Sequence, residues 1–255
     1  TNPSQQLVDA FPMKDGYPID QSTNYDASNP YTGRDNRFGL TVVHNAATFG
    51  KDVVETFVGG KDYPAPGVER GTRTGYYLRK FLDPTITLSP DEAVATVKHY
   101  YAFFRKGEIW LNYSEAANEA WGTDVDPTGR GKTAMQALGE IRVRAGIPSA
   151  DPYLQQVSNA GVDEMRTLIQ NERRIELSFE NHRYFDVRRW LLPLDNLNES
   201  IKGIHIIKNE ADGTFTYQTK ENVEPRKFTG HMYYSPLPEQ EIYSSNGVVV
   251  QNAGW

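Results

Sequence analysis

The stretch from residue 162 to 192, VDEMRTLIQNERRIELSFENHRYFDVRRWLL, constrains the fold of this chain more than any other. Met165, Leu168, Ile169, Ile175 and Phe179 fall on one side of a helical period, which predicts a long amphipathic helix over residues 162–180. The face that must pack inward also carries acids, because Glu172 lies one turn beyond Leu168 and Glu176 one turn beyond Glu172. An unpaired buried carboxylate costs on the order of several kcal/mol, so the chain must bring cations to both. Arg183, Arg188, Arg142 and Arg144 are the expected partners, in a structural ion-pair network with Glu172 and Glu176. Asn181 and His182 mark a break: asparagine tolerates a left-handed C-cap, and Tyr184, Phe185, Val187, Trp190 and Leu191 restart the apolar pattern in a different phase.

Around this stretch the chain divides by texture. Up to residue 88 it is rich in turn formers (Asp15-Gly16, Asn29-Pro30, Thr32-Gly33) interleaved with tyrosines, and reads as loops with short strands over residues 40–44, 53–58 and 75–81. Ser89-Pro90-Asp91-Glu92 combines an N-cap serine, proline and an acidic third position, predicting a helix to about residue 98. Residues 108–121, with an alanine-lined stripe closed by Gly122, and residues 133–145, closed by Gly146 and Pro148, predict two helices that pack as a pair. Residues 204–207 and 214–217, joined through Asp212-Gly213, predict a β-hairpin, and residues 228–234 a further extended piece. With 255 residues and 38% hydrophobic content, the chain can bury one sizeable core or a domain and a half.

Several function classes are disfavoured. A net charge of -6 without any basic run argues against nucleic acid, and the absence of cysteine removes thiolate metal sites and cysteine nucleophiles. The five histidines, His44, His99, His182, His205 and His231, are scattered without ligand spacing, so neither a metal nor a cofactor is expected. Gly129-Arg130-Gly131-Lys132-Thr133 ends like a phosphate-binding loop, but Asp126 stands where that loop needs its first glycine. Glu172 and Glu176 are not a glycosidase pair: one turn apart on one helix they point the same way, whereas such carboxylates flank the bond from opposed sides. The chain reads as a non-enzyme. Tyrosines on ordered loops can instead stack on sugar faces, and Tyr17, Tyr25 and Tyr63 are the candidate ligand-binding residues, although loop tyrosines also serve simply to cap a core.

Glu172-Arg173 through Arg189-Trp190, read as ER-x-IEL-x-FE-x-x-R-x-FD-x-x-RW, resembles the C-terminal signature of the SusD/RagB proteins, surface lipoproteins of Bacteroidetes nutrient-uptake systems. RKGEIWLNYSEAANEA, IRVRAG, DAFPMKDGYPI, PYTGRDNRF and the ending YSPLPEQEIYSSNGVVVQNAGW resemble the same family, with Asn36 at a turn where the family more usually has proline. The resemblance implies a mainly α fold of tetratricopeptide-like stacked helix pairs with loop-rich segments and short β-hairpins. It divides the chain into a loop-rich part (1–88), helical repeats (89–192) and a hairpin with a closing segment (193–255) in which Trp255 is an anchor, the family's N-terminal half being absent. It also implies a glycan-binding surface component that delivers an oligosaccharide or polysaccharide to a TonB-dependent SusC-like transporter. Outer-membrane anchoring would come through a lipid on the missing N-terminal part, and this chain alone would be monomeric. A peptide-binding member of the same architecture, or a helical-repeat scaffold, is the alternative.

Overall fold

In the computed structural model, residues 2–64, 71–85, 98, 100, 102–129 and 131–255 are described; the helix expected after Ser89 lies outside them. Two short capped helices open the chain. Ser4 accepts from the Leu7 amide at the start of α1 (Gln5–Ala10), and Asp35 from the Arg37 amide at the start of α2 (Asn36–Thr41). Asn36 is therefore the first residue of a helix, where proline is common, and its amide donates to the Ala145 carbonyl at 3.0 Å, a bond proline could not make. The Asp35 cap carries the helix through Thr41 and leaves only β1 (Val42–Val43) of the strand expected over residues 40–44. β2 (Thr48–Phe49) and β3 (Asp52–Val53) form a tight antiparallel ribbon, and β4 (Tyr77–Leu78) pairs with β1. The strand expected over residues 53–58 stops early because side chains claim its donors: Asp62 accepts from the Glu55 amide and Asn45 from that of Thr56.

The helical layer follows. α3 (Lys106–Trp121) ends at Gly122, whose φ of 94° only glycine adopts readily. α4 (Ala134–Arg144) starts with a capping box between Thr133 and Gln136. α5 (Pro152–Ala160), which periodicity did not reveal, is announced by the Asp151 cap and by proline at the first turn. α6 (Val162–Glu176) is shorter than the apolar pattern suggests. Its terminal carbonyls are taken by cations, Lys80 donating to Glu176 O and Ser178 O and Arg105 to Glu176 O, while Phe179 and Asn181 turn left-handed at φ 62° and 66°. α7 (His182–Arg189) and α8 (Leu194–Asn198) lead into the hairpin β5 (Ile201–Lys208) and β6 (Phe215–Glu224), longer than expected and shifted in register between Ile201 and Gly203. Residues 228–234, expected extended, contain a 3-10 turn (Gly230–Tyr233), and α9 (Glu239–Ser244) precedes the ending, where the Trp255 indole donates to the carbonyls of His231 and Tyr234.

Among the described residues the architecture is mainly α, with small two-stranded sheets and no closed barrel. α3 packs on α4 and α6, and α5 on α4 and α6. Leu111, Leu138, Ile141, Leu154, Met165 and Ile169 fill the core between these helices. A second cluster, Val8, Phe11, Phe38, Val42, Tyr76 and Ile175, lies beneath the opening loops. α6 supplies residues to both clusters. No helix among the described residues is long and apolar enough to cross a membrane. Because the capping box fixes the start of α4, Thr133→Ala should lower stability by about 1 kcal/mol, read as a lower urea midpoint with unchanged slope.

Candidate functional site

Two buried acids on α6 organise what surrounds them. Glu172, with no solvent exposure, accepts from Arg37 at 2.8 Å and Arg142 at 2.5 Å. Glu176 accepts from Arg37 at 3.3 Å and also from Arg105 and Arg144. Arg37 forks onto Asp35, Arg142 reaches Asp151 at 2.6 Å, and Glu180 binds Arg105 and Lys80. Asp35, Asp151, Glu172, Glu176 and Glu180 thus balance Arg37, Lys80, Arg105, Arg142 and Arg144, which is what makes so much charge tolerable away from water. Burial alone would raise the Glu172 carboxyl, but Arg37 and Arg142 outweigh it and hold the group below its ordinary range. Against the same burial, Arg37, Arg105 and Arg144 bring Glu176 down to about 2.

The network also shapes a loop. Arg142 donates to the Gly16 carbonyl at 2.7 Å, and a Cβ on Gly16 would stand 2.6 Å from Asp151 Oδ1, so the turn that presents Tyr17 presses against the buried charges. Further along, Asp15 accepts from the Tyr17 amide, Ser22 and Asn24, and Asp26 from Ser28 and Asn29. Arg34 closes the loop by donating to the carbonyls of Val8, Phe11 and Pro30.

Between this loop and the hairpin lies a pocket of about 250 Å³ whose aromatic wall is Tyr25, Tyr31, Tyr76 and Tyr217. Tyr31 sits edge-on to Tyr217 at 5.4 Å and to Tyr76 at 6.2 Å, and stacks on His44 at 4.0 Å. Gln5, Asp9, Arg34 and Thr219 complete the polar wall. Among the described residues Arg34 Nε is buried without a hydrogen-bond partner. Burial raises the Tyr25, Tyr31 and Tyr76 phenols, so all three remain neutral at physiological pH, and it raises the Asp9 carboxyl as well.

The family model for the SusD family matches residues 1–255. The chain belongs to the SusD family. It is 26% identical over 156 residues to SusD-like protein P2 of Formosa agariphila, a match covering 61% of this chain and 26% of that protein. Among solved structures it is similar to a SusD-like protein of Bacteroides fragilis, with 27% identity and a TM-score of 0.72 over 100% of this chain and 47% of that one. A SusD-like carbohydrate binding protein of the same organism has a similar fold, with 23% identity and a TM-score of 0.61 over 95% of this chain and 47% of that one. The chain therefore spans about half the length of these solved relatives.

In this SusD-family chain the signature around Glu172 is a charge network. Of the cations expected beside the two glutamates, Arg142 and Arg144 reach them, but Arg183 and Arg188 do not. The early end of α6 and the left-handed Phe179 and Asn181 set α7 off on a new path; Arg188 there donates to the Tyr184 carbonyl and stacks on the Tyr184 ring. Arg37 and Arg105, which do the pairing instead, are remote in sequence. Their only signal is a charged residue inside stretches that resemble the family. The three candidate tyrosines do not share one pocket. Tyr25 lines the aromatic pocket, whereas Tyr17 packs on Tyr153 at 5.1 Å and Tyr63 lies edge-on to His205 at 6.5 Å. Tyr31, Tyr76 and Tyr217 escaped the sequence reading because strand pairing and loop closure bring them together.

The network gives two expectations. Glu172→Ala takes one carboxylate partner from each of the buried Arg37 and Arg142 and should cost about 3–5 kcal/mol in chemical denaturation. The Glu176 carboxyl falls from an ordinary 4.5 to about 2; at about 1.4 kcal/mol per pKa unit this corresponds to roughly 3 kcal/mol. Because the folded-state value lies below the unfolded one, that stabilisation is complete above about pH 4.5 and is lost as pH falls towards 2. Glu176→Gln should therefore flatten the acid limb of a stability profile over this window.

Proposed function

We propose that this chain is the glycan-binding part of a SusD-type surface protein, holding an oligosaccharide in the tyrosine pocket and passing it to a TonB-dependent SusC-like transporter at the outer membrane. The observation that carries this reading is the pocket itself, where four tyrosine rings and several polar groups line one concavity while Arg34 Nε lacks a partner among the described residues. Pyranose C–H faces stack on phenol rings, and hydroxyls need this mixture of donors and acceptors. At about 250 Å³ the pocket falls below the usual range for whole small ligands, about 300–1,000 Å³, so it takes a single ring of a longer chain. Tyr17 and Tyr63 would then supply flanking rings. Similarity to a protein described as carbohydrate binding supports the same assignment.

Binding without chemistry is the mode proposed. A general acid must hold its proton near neutral pH, whereas arginines keep Glu172 and Glu176 ionised. Membership of the SusD family supports the transporter as partner and the cell surface as location, with a lipid as the anchor.

Calorimetry against a glycan panel tests the site. Tyr25→Ala and Tyr217→Ala should each weaken binding by about 0.5–1.5 kcal/mol, and Tyr17→Ala and Tyr63→Ala by less. Parent-like affinity in all four variants, or selective binding of peptides from a parallel library, would defeat the assignment. For the partnership, chemical cross-linking in intact outer membranes should join the protein to a TonB-dependent barrel; recovery without any such barrel would remove the partner and leave the glycan site standing.

A further inference from the structure

Arginines within the α6 network are matched by carboxylates, and Arg173 likewise binds Asp186 at 3.1 Å. A second group of arginines is not matched. A cleft of about 670 Å³ between α6, α7, α8 and the end of β6 is lined by Arg174, Arg183, Arg188 and Arg226, with Tyr184 and Phe228 beside them. Among the described residues none of the four arginines forms an ion pair. Their hydrogen bonds go to neutral carbonyls instead: Arg174 to Gln6 at 2.8 Å, Arg188 to Tyr184 at 2.8 Å, and Arg226 to Glu199 at 2.5 Å and Asn196 at 3.2 Å. Arg188 Nε is buried without a hydrogen-bond partner among the described residues.

The nearby acids act on the group without pairing with it: Glu199 attracts Arg174 and Arg226, and Asp186 attracts Arg183, but none forms an ion pair with the four among the described residues. Glu199 is engaged by Lys202 at 3.0 Å, and Glu224 forms no ion pair with any of the four among the described residues, while Lys227 adds a further positive charge to the lining. Burial first, then repulsion from Arg183 and Arg226, pulls Arg174 down to about 10. Guanidiniums gathered in a concavity where no carboxylate closes onto them as an ion pair keep N–H groups suited to an oxyanion.

We propose that this cleft is an anion subsite that takes the carboxylate or sulfate group of an acidic saccharide. The assignment rests on the glycan-binding reading above and narrows it to charged glycans. Two features favour a saccharide. The cleft volume lies within the range of small-ligand sites. The Arg188 guanidinium also lies over the Tyr184 ring at 3.5 Å and the Phe228 ring at 5.2 Å, so aromatic rings stand next to the cations.

The test is calorimetry on this chain at low salt with three probes: a tetragalacturonate, a sulfated galactan tetrasaccharide and an uncharged galactan tetrasaccharide. At least one acidic probe should bind tenfold or more tightly than the uncharged one, which of them does so distinguishing carboxylate from sulfate, and its affinity should fall as sodium chloride is raised. Arg183→Ala and Arg226→Ala should each weaken that binding by about tenfold, the loss expected for one charge-assisted contact. Arg183 makes no hydrogen bond or ion pair among the described residues, so its variant removes the charge without releasing any backbone, and an unchanged melting curve checks this. Tyr25→Ala should weaken the acidic and uncharged probes alike, leaving the ratio between them as it was. Equal affinity for charged and uncharged probes, unchanged affinity in both arginine variants, or displacement of the saccharide by an acidic peptide at lower concentration would overturn the proposal. Uncharged glycan binding that responds to Tyr25→Ala, with no preference for the acidic probes, would retain the tyrosine pocket and reject this cleft. Acidic binding lost in the arginine variants, with no uncharged binding at all, would do the reverse.

Discussion

Two carboxylates on one buried helix face set the terms for most of this structure. Ions the size of a carboxylate or a guanidinium lose several kcal/mol each, roughly, on leaving water, and recover it only through close, well-oriented partners. Glu172 and Glu176 meet that condition by drawing Arg37 from α2, Arg105 from the segment before α3, and Arg142 and Arg144 from α4. Elements far apart in the chain are thereby fixed to α6 with directional bonds that an apolar contact would not supply. The apolar cores on either side then pack against a frame whose orientation is already decided.

The same frame explains how an irregular segment can present a binding surface. Residues 12–35 contain no helix and no paired strand beyond an isolated bridge between Met13 and Arg34, so their own backbone bonds are those of turns, such as Gly16 N–H to Met13 O and Ser22 N–H to Pro18 O. Their path is defined from outside by arginines that donate to backbone carbonyls, and from inside by aspartates that accept from backbone amides. Against this loop the β5–β6 hairpin contributes Tyr217 and Thr219, and β4 is preceded by Tyr76, so the pocket exists only once loop, strand and hairpin have all been placed.

Local signals in the sequence were sufficient for α3, α4 and α6, but α1, α2, α5, α8 and α9 went unread. The glycines at positions 122 and 146 and the apolar period of α6 each act within a few residues, which is the range over which a pattern can be read. The boundaries that moved did so for non-local reasons: Lys80 and Arg105 terminate α6, and Asp62 and Asn45 take the amides that a longer strand would have used. The ion-pair partners divide in the same way. Arg142 and Arg144 lie within the helical region that packs on α6, whereas Arg37 arrives from the loop-rich region, and no spacing rule links it to Glu172. The family resemblance supplied the architecture that periodicity could not, and it was silent on which tyrosines meet.

Arg142 holds the Gly16 carbonyl, and Arg34 holds those of Val8, Phe11 and Pro30. Carbonyl oxygens are common to every amino acid, so these clamps do not read side chains. Between them, positions such as Tyr17, Thr23 and Tyr25 can be exchanged without releasing either end, provided Asp15 and Asp26 keep their turns. A lineage can therefore alter what the loop recognises while the route of its main chain stays the same, and recognition and stability can be selected separately.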